Sequence, residues 1–261
     1  MPFRQLPSTH DGCLTALDAA YLKWDSITDS TLRLITVEQF NRYLDPTPPA
    51  AGQTGSVYFR FKKETAEAAG ALAEQTPLSK ALDTTRGLLR LIISHFIQTL
   101  NNAITRGALP REARTHFQLA IDTDRVPDLF SDADLLLWAQ RIVNGEASRL
   151  APAGAGAAPI AWPSAAEVGA LRDTFTEQGG EQSGAKDRTD REQSDVEQLM
   201  PEVLAAIKDL WDTVEFNLRF ETSNPSRRRR AREWGVYYAT RPDETPDPEE
   251  PTPPPVTNPT P

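Results

Sequence analysis

The stretch TEQGGEQSGAKDRTDREQSD, Thr176 to Asp195, decides how this chain is expected to fold. Its one apolar side chain is Ala185, and it holds three glycines, Gly179, Gly180 and Gly184. A helix that is polar all round either projects into water or is unstable alone, and each interior glycine weakens it by about 1 kcal/mol relative to alanine. The stretch is therefore expected to be the exposed tip of a helical hairpin, turning near Gly179–Gly184. Amphipathic sequence flanks it on both sides. Upstream, Ser164-Ala-Ala-Glu167 has the form of a capping box and precedes Val168, Leu171 and Phe175. Downstream, Leu199, Val203, Ile207, Leu210, Val214 and Leu218 recur at helical spacing, widened by Leu204 and Trp211. Pro201 marks either a kink or the true start of that second helix.

The first half of the chain reads in a similar way. Val57–Gln75 is rich in alanine and helix formers, Thr76-Pro77 interrupts it, and a second helix is expected from Pro77, where proline suits a first turn. Leu82, Leu89, Ile93, Phe96, Leu100 and Ile104 form its apolar stripe, and Gly107 ends it. This makes 57–106 a second hairpin. Before it, Asp11–Ile27 carries Leu14, Leu17, Tyr21 and Trp24 on one helix face, and Thr36-Val-Glu-Gln39 is a capping box opening a short helix to Leu44. Asp45–Gly55 is a loop, Pro110–Phe117 a short helix, and Ser131–Asp134 a cap before a helix with Leu135, Trp138 and Ile142 that ends near Leu150. The strand candidates are SVYFRF (Ser56–Phe61) and WGVYY (Trp234–Tyr238).

The expected fold class is all-α, a multi-helix bundle built from long antiparallel helical hairpins. Its expected organisation is a helical half over 1–150 and a flexible Ala/Gly/Pro linker over 151–163. The hairpin and an Arg-rich closing segment follow over 164–240, packed with the first half as one bundle. A disordered Pro-rich acidic tail over 241–261 completes it.

Composition limits the function classes. Apolar residues make up 39% and charged residues 25%, enough to bury a core in a chain of 261 residues. Arginine exceeds lysine 22 to 6, which points to GC-rich coding and a bacterial source. A single cysteine, Cys13, excludes an internal disulfide and a cysteine-rich zinc site. The start has no apolar core of a secretory signal, and the most apolar run, Leu88–Ile97, is too short to cross a bilayer. A soluble cytoplasmic protein with no membrane insertion is expected. The net charge of −9 resides in residues 1–222, an acidic body that argues against a broad nucleic-acid surface.

One basic segment stands apart. SRRRRAREWGVYY, Ser226–Tyr238, follows Ser223-Asn224-Pro225 and contains Gly235, which frames a short helix capped at Asn224 and stopped at Gly235. At about 100° per residue, Arg227, Arg228, Arg229 and Arg230 point in four directions, a spread that suits clamping more than a row of phosphate contacts. Arg227, Arg228, Arg229, Arg230, Arg232, Trp234, Tyr237 and Tyr238 are the candidate partner-binding residues. The plainer alternative is that Trp234, Val236, Tyr237 and Tyr238 fasten the chain end to the bundle. In the 21 residues after Thr240, nine are proline, and PTPPP (Pro251–Pro255) contains a PxxP pattern.

No catalytic or metal-binding motif is complete in the sequence. There is no HExxH, no CxxC and no helical His pair. Asp122, Asp124, Asp128, Asp132 and Asp134 begin like a calcium loop, but Val126 and Pro127 occupy positions that need an oxygen ligand and a glycine, so turn and cap roles are expected. Ser183-Gly-Ala-Lys186 matches SxxK without its companion motifs. Cys13 follows His10 by three residues but is expected to be a small core residue, and His95 a core histidine. Gly52–Gly55 and Gly154–Ala158 lack the Lys-Ser ending of a phosphate loop.

No catalytic, cofactor or metal residue is expected. The function expected is a non-enzymatic interaction or structural module that meets a protein partner through the polar tip at 176–195, the Arg/aromatic segment at 226–238 or the Pro-rich tail. The alternatives are a nucleic-acid accessory protein binding through Arg227–Arg232, and an enzyme whose site is built across helices around His95 or His116.

Overall fold

The computed structural model describes residues 3–151 and 158–240. The expected tail, 241–261, and the middle of the expected linker lie outside the described residues. The architecture is an all-α bundle. Six α-helices run in the order α1 (His10–Ser26), α2 (Val37–Tyr43), α3 (Val57–Thr105), α4 (Asp132–Leu150), α5 (Ala165–Asn217) and α6 (Asn224–Arg232). Two 3-10 turns, Ser30–Leu32 and Arg111–Phe117, and two short strands, β1 (Phe3–Arg4) and β2 (Tyr238–Ala239), complete it. The strands pair antiparallel, Phe3 with Ala239 and Arg4 with Tyr238. Of the two strand candidates, WGVYY thus contributes two residues, while SVYFRF opens a helix. The Ser56 hydroxyl accepts from the Phe59 N–H at 3.0 Å and so caps α3.

The expected hairpins over 57–106 and 164–220 are not formed. Each segment is one continuous helix, of 49 residues in α3 and 53 in α5, with Pro77 and Pro201 inside them. A proline removes one i→i−4 bond and crowds the carbonyl four residues back, at about 3 kcal/mol. Both prolines are exposed, and apolar stripes on either side of each are buried. Side-chain burial over several turns outweighs one lost backbone bond.

The polar stretch stays helical because it keeps the buried row in register. Along α5, Phe175, Gln178, Gln182, Ala185, Thr189, Glu192, Val196, Leu199 and Val203 are buried or half-buried at alternating steps of three and four. Along α3, Val57, Phe61, Glu64, Ala68, Ala71, Gln75, Leu78, Leu82, Thr85 and Leu89 do the same. This is the seven-residue period of a coiled-coil seam, carried through its middle by small and polar side chains.

Packing divides the chain elsewhere than at 151–163. Among the described residues, one compact unit comprises 3–70 and 190–240, the other 71–151 and 158–189. In the first, α1, α2, the start of α3, the end of α5 and α6 surround Leu17, Trp24, Phe61, Trp211 and Trp234. Here α3 and α5 run antiparallel: Arg60 pairs with Glu202, 2.9 Å on one arm, while Glu64 and Glu67 approach Glu192. In the second, the end of α3, the 3-10 turn Arg111–Phe117, α4 and the start of α5 surround Phe96, Phe117, Leu135 and Phe175. There too the long helices are antiparallel, with Arg188 on Glu74 at 2.8 Å and the Arg86 guanidinium 5.8 Å from the Phe175 ring centroid.

The expected caps form. Thr36 with Gln39 and Ser131 with Asp134 make complete capping boxes, and the Glu167 carboxylate accepts from the Ser164 N–H at 2.7 Å. In α1 the buried face is Cys13, Ala16, Leu17, Ala20 and Trp24, so Leu14 and Tyr21 flank it. Of the expected flexible linker, the described end is anchored. Ile160 is buried, and its N–H donates to Glu146 at 2.8 Å.

Candidate functional site

The Arg-rich segment forms the nine-residue helix α6, capped one residue earlier than expected. The Ser226 N–H donates to the Ser223 hydroxyl at 3.2 Å, and Pro225 sits in the first turn. Gly235 stops it with φ +81°, and an added Cβ there would lie 2.5 Å from the Ala16 carbonyl oxygen. Only glycine supplies both the left-handed backbone and that close approach to α1.

The eight candidate residues separate by environment. Arg228, Trp234 and Tyr238 are buried, with Ala231 and Val236 beside them in the core. Tyr238 donates its hydroxyl to Glu215, and burial followed by that bond pushes its phenol well above the ordinary 10.0. Arg4, on β1, pairs with Asp212 at 2.6 Å and Glu215 at 3.1 Å, so β1 and Tyr238 are both tied to α5. Arg230 pairs with Glu221, and Lys23 of α1 reaches Glu233 at 2.6 Å. Arg227 is half-buried and Arg229 exposed. Arg232 is half-buried, its guanidinium 5.5 Å from the Tyr238 ring centroid. Tyr237 points the other way and is 58% exposed.

A groove of about 520 Å³ opens beside Tyr237. The N-terminal arm Gln5–Thr9 forms one wall and α1, through Gly12, Thr15 and Ala19, another. Trp211, Arg232 and Val236–Tyr238 complete it. Gly12 keeps this corner narrow, since a Cβ there would meet Thr9 Oγ1 at 3.0 Å and Pro7 Cβ at 3.1 Å. The lining is mostly apolar, with Arg232 its one charged side chain. The arm's contribution was missed in the sequence because MPFRQLPSTHDG has no periodicity to mark it.

The other candidates fall elsewhere. His95 is exposed rather than in the core, because the buried face of α3 passes through Ile93, Phe96, Ile97 and Leu100. It borders a shallow depression of about 400 Å³ with Gln98, Trp162 and Glu167. His116 accepts from or donates to the Ser148 hydroxyl at 2.9 Å, on the rim of a cavity of about 750 Å³. Ser148 is exposed, and Glu112 lines the same cavity.

Arg149 also lines that cavity, and it belongs to a feature that sequence reasoning missed. Glu146 and Arg149, one turn apart on α4, form a buried two-armed pair at 2.8 and 2.7 Å. Arg149 also donates to the Ala158 carbonyl at 2.9 Å. The available signal was their spacing, which continues the row Leu135, Ala139, Ile142. Arg114 is buried likewise, donating to Asn101 and, at 2.6 Å, to the Ala120 carbonyl.

Cys13 is fully buried, and burial pushes its thiol above the ordinary 9.0, which disfavours the nucleophilic thiolate. Ser183 and Lys186 lie on the exposed face of α5. The acidic run serves structure. Asp132 binds Arg86 at 2.7 Å, Asp134 caps α4, and Asp124 faces Arg111 at 3.4 Å. Glu64, Glu67 and Glu192 gather their carboxylates within 4.8 Å, but Lys63 already pairs with Glu64 at 3.1 Å and Glu67 at 2.9 Å. No described helix is long and apolar enough to cross a membrane.

No family model, curated protein or solved structure matches this chain.

Proposed function

We propose that the chain is a non-enzymatic interaction module whose partner surface is the groove between the N-terminal arm, α1 and the turn after α6. The observation that carries this reading is the exposed ring of Tyr237 at the mouth of a groove whose lining includes Trp211 and Arg232. Aromatic and arginine side chains at a concave, mostly apolar surface are the residue types that dominate binding energy. The groove walls are set by buried neighbours on each side. Trp234 and Tyr238 lock into the core, and Gly235 lies against α1, so the shape is held in advance and little ordering entropy opposes binding. The placement of Cys13 and of Ser183–Lys186 supports a non-enzymatic role.

The test is affinity capture with the full chain against Tyr237→Ser and Thr15→Glu, two substitutions at the groove that leave buried residues intact. Loss of the same captured proteins in both variants supports the groove. An unchanged set refutes it. The nucleic-acid alternative through Arg227–Arg232 predicts a different result: captured nucleic acid whose binding falls steeply with salt and is lost in Arg229→Ala/Arg230→Ala.

A further inference from the structure

We infer that the cavity beside Arg114 binds a small organic carboxylate, its charged end on the Arg114 guanidinium and its apolar body against Val126, Pro127 and Trp138. The cavity has a volume of about 340 Å³ and shares no lining residue with the groove at Tyr237. It belongs to the unit built from the end of α3, α4 and the start of α5. Three observations converge on it.

The first is a buried charge without a counter-charge. Arg114 is 1% exposed. Its Nε donates to the Ala120 carbonyl at 2.6 Å, one Nη to the Asn101 side-chain oxygen, and the other Nη to the Arg125 carbonyl at 3.5 Å. All three acceptors are neutral. Among the described residues no carboxylate forms an ion pair with Arg114, and Asp124 is engaged by Arg111 at 3.4 Å. Burial pulls the Arg114 guanidinium below the ordinary arginine value, and the field of Asp124 only partly offsets it. Arg149, also buried, shows how the same unit settles such a charge elsewhere: Glu146 meets it with both carboxylate oxygens. A buried cation that lacks such a partner gains from any anion able to reach it.

The second is geometry. Arg114 lines the cavity. A guanidinium has five N–H groups, and the bonds above use three of them. One N–H remains on each Nη, and a carboxylate offers an oxygen to each.

The third is the make-up of the rest of the wall. Val126, Pro127 and Trp138 line the cavity and are only half-buried, so apolar surface stays open to a ligand. The charged residues that line it are Arg114 and Arg125 against Asp128, a balance of one positive charge. Arg141 adds positive field at Trp138: its guanidinium lies 4.5 Å from the ring centroid, and its buried Nε has no partner among the described residues. Such a wall suits a monoanion with an apolar body. Asp128 opposes a phosphate dianion more strongly than a carboxylate, because the repulsion grows with the ligand's charge.

The experiment titrates sodium benzoate, sodium acetate and inorganic phosphate, at one ionic strength, into the isotope-labelled full chain. It follows the amide signals of Gln118, Leu119 and Ala120, which line the cavity. Benzoate is expected to give saturable shifts there and to bind severalfold tighter than acetate, with phosphate weakest. Arg114 also holds the 120–125 segment to α3, so the deciding variants are at the exposed residues Arg125 and Thr123. Arg125→Ala is expected to weaken benzoate severalfold, and Thr123→Glu, which adds a carboxylate to the lining, to abolish its shifts. The absence of saturable shifts with benzoate overturns the inference. Acetate or phosphate binding as tightly as benzoate also overturns it, because the apolar wall then takes no part. So does benzoate binding that neither variant weakens, because the ligand then sits elsewhere.

Discussion

Glu146 and Arg149 show how much rests on single residues in this fold. Both side chains are under 10% exposed, and they satisfy each other, the Ile160 N–H and the Ala158 carbonyl. Removing one partner of such a pair leaves a buried charge and typically costs 3–5 kcal/mol. Glu146→Leu is therefore expected to lower the unfolding free energy by about 3 kcal/mol or more in urea titration, whereas Glu146→Leu with Arg149→Met recovers most of the loss. Equal destabilisation by the single and double variants would show that the pair is not the buried unit described. The same scale separates Tyr237 from Tyr238. Tyr238, the first residue of β2, buries its ring in the core, while Tyr237 just before it leaves its ring exposed.

Among the elements, α5 departs furthest from what its composition suggests. Its polar middle is held by a buried row of Gln178, Gln182, Ala185, Thr189 and Glu192, while Gly179, Gly180 and Gly184 have nothing near the position of a Cβ. If the helix is continuous there, each glycine weakens it without serving a turn. Gly179→Ala, Gly180→Ala and Gly184→Ala are each expected to stabilise the chain by about 0.5–1 kcal/mol, read as a rise in the thermal midpoint. A hairpin tip would respond in the opposite sense, because a turn that uses left-handed glycine is destabilised by alanine.

For the whole molecule, proton linkage sets a stability plateau. Hydrogen bonds from Arg86, Arg60 and Lys208 hold the carboxyls of Asp132, Glu202 and Asp212 below their ordinary values of 3.8, 4.5 and 3.8. In acid the unfolded chain binds more protons than the folded one, so their contribution is present above about pH 4.5 and is lost as pH falls below it. Burial raises Cys13 above 9.0 and both Tyr58 and Tyr238 above 10.0. There the folded chain retains protons that the unfolded chain releases, so stability is lost as pH rises above about 9. Urea midpoints measured from pH 3 to pH 11 are expected to be flat between about pH 5 and 8 and to fall on both sides. A midpoint that keeps rising above pH 10 would contradict the buried phenols and thiol.

The sequence by itself determined the helical class, most helix starts and the apolar stripes. Those depend on local chemistry: a threonine or serine oxygen reaching an N–H three residues on, and a spacing near 3.6. It also marked Arg227–Tyr238 as unusual, with Gly235 as its stop. Only the tertiary structure decided that Pro77 and Gly179–Gly184 lie inside helices, because local propensities of about 1–3 kcal/mol are outweighed by burial along the rest of α3 and α5. Likewise only the fold could assemble the groove. Its walls come from residues 5–19, Trp211 and 232–238, which meet because β1 pairs with β2 and Gly235 lies against Ala16. No local pattern encodes a contact between two segments more than two hundred residues apart. The long-range strand pairing and the shared apolar core make it.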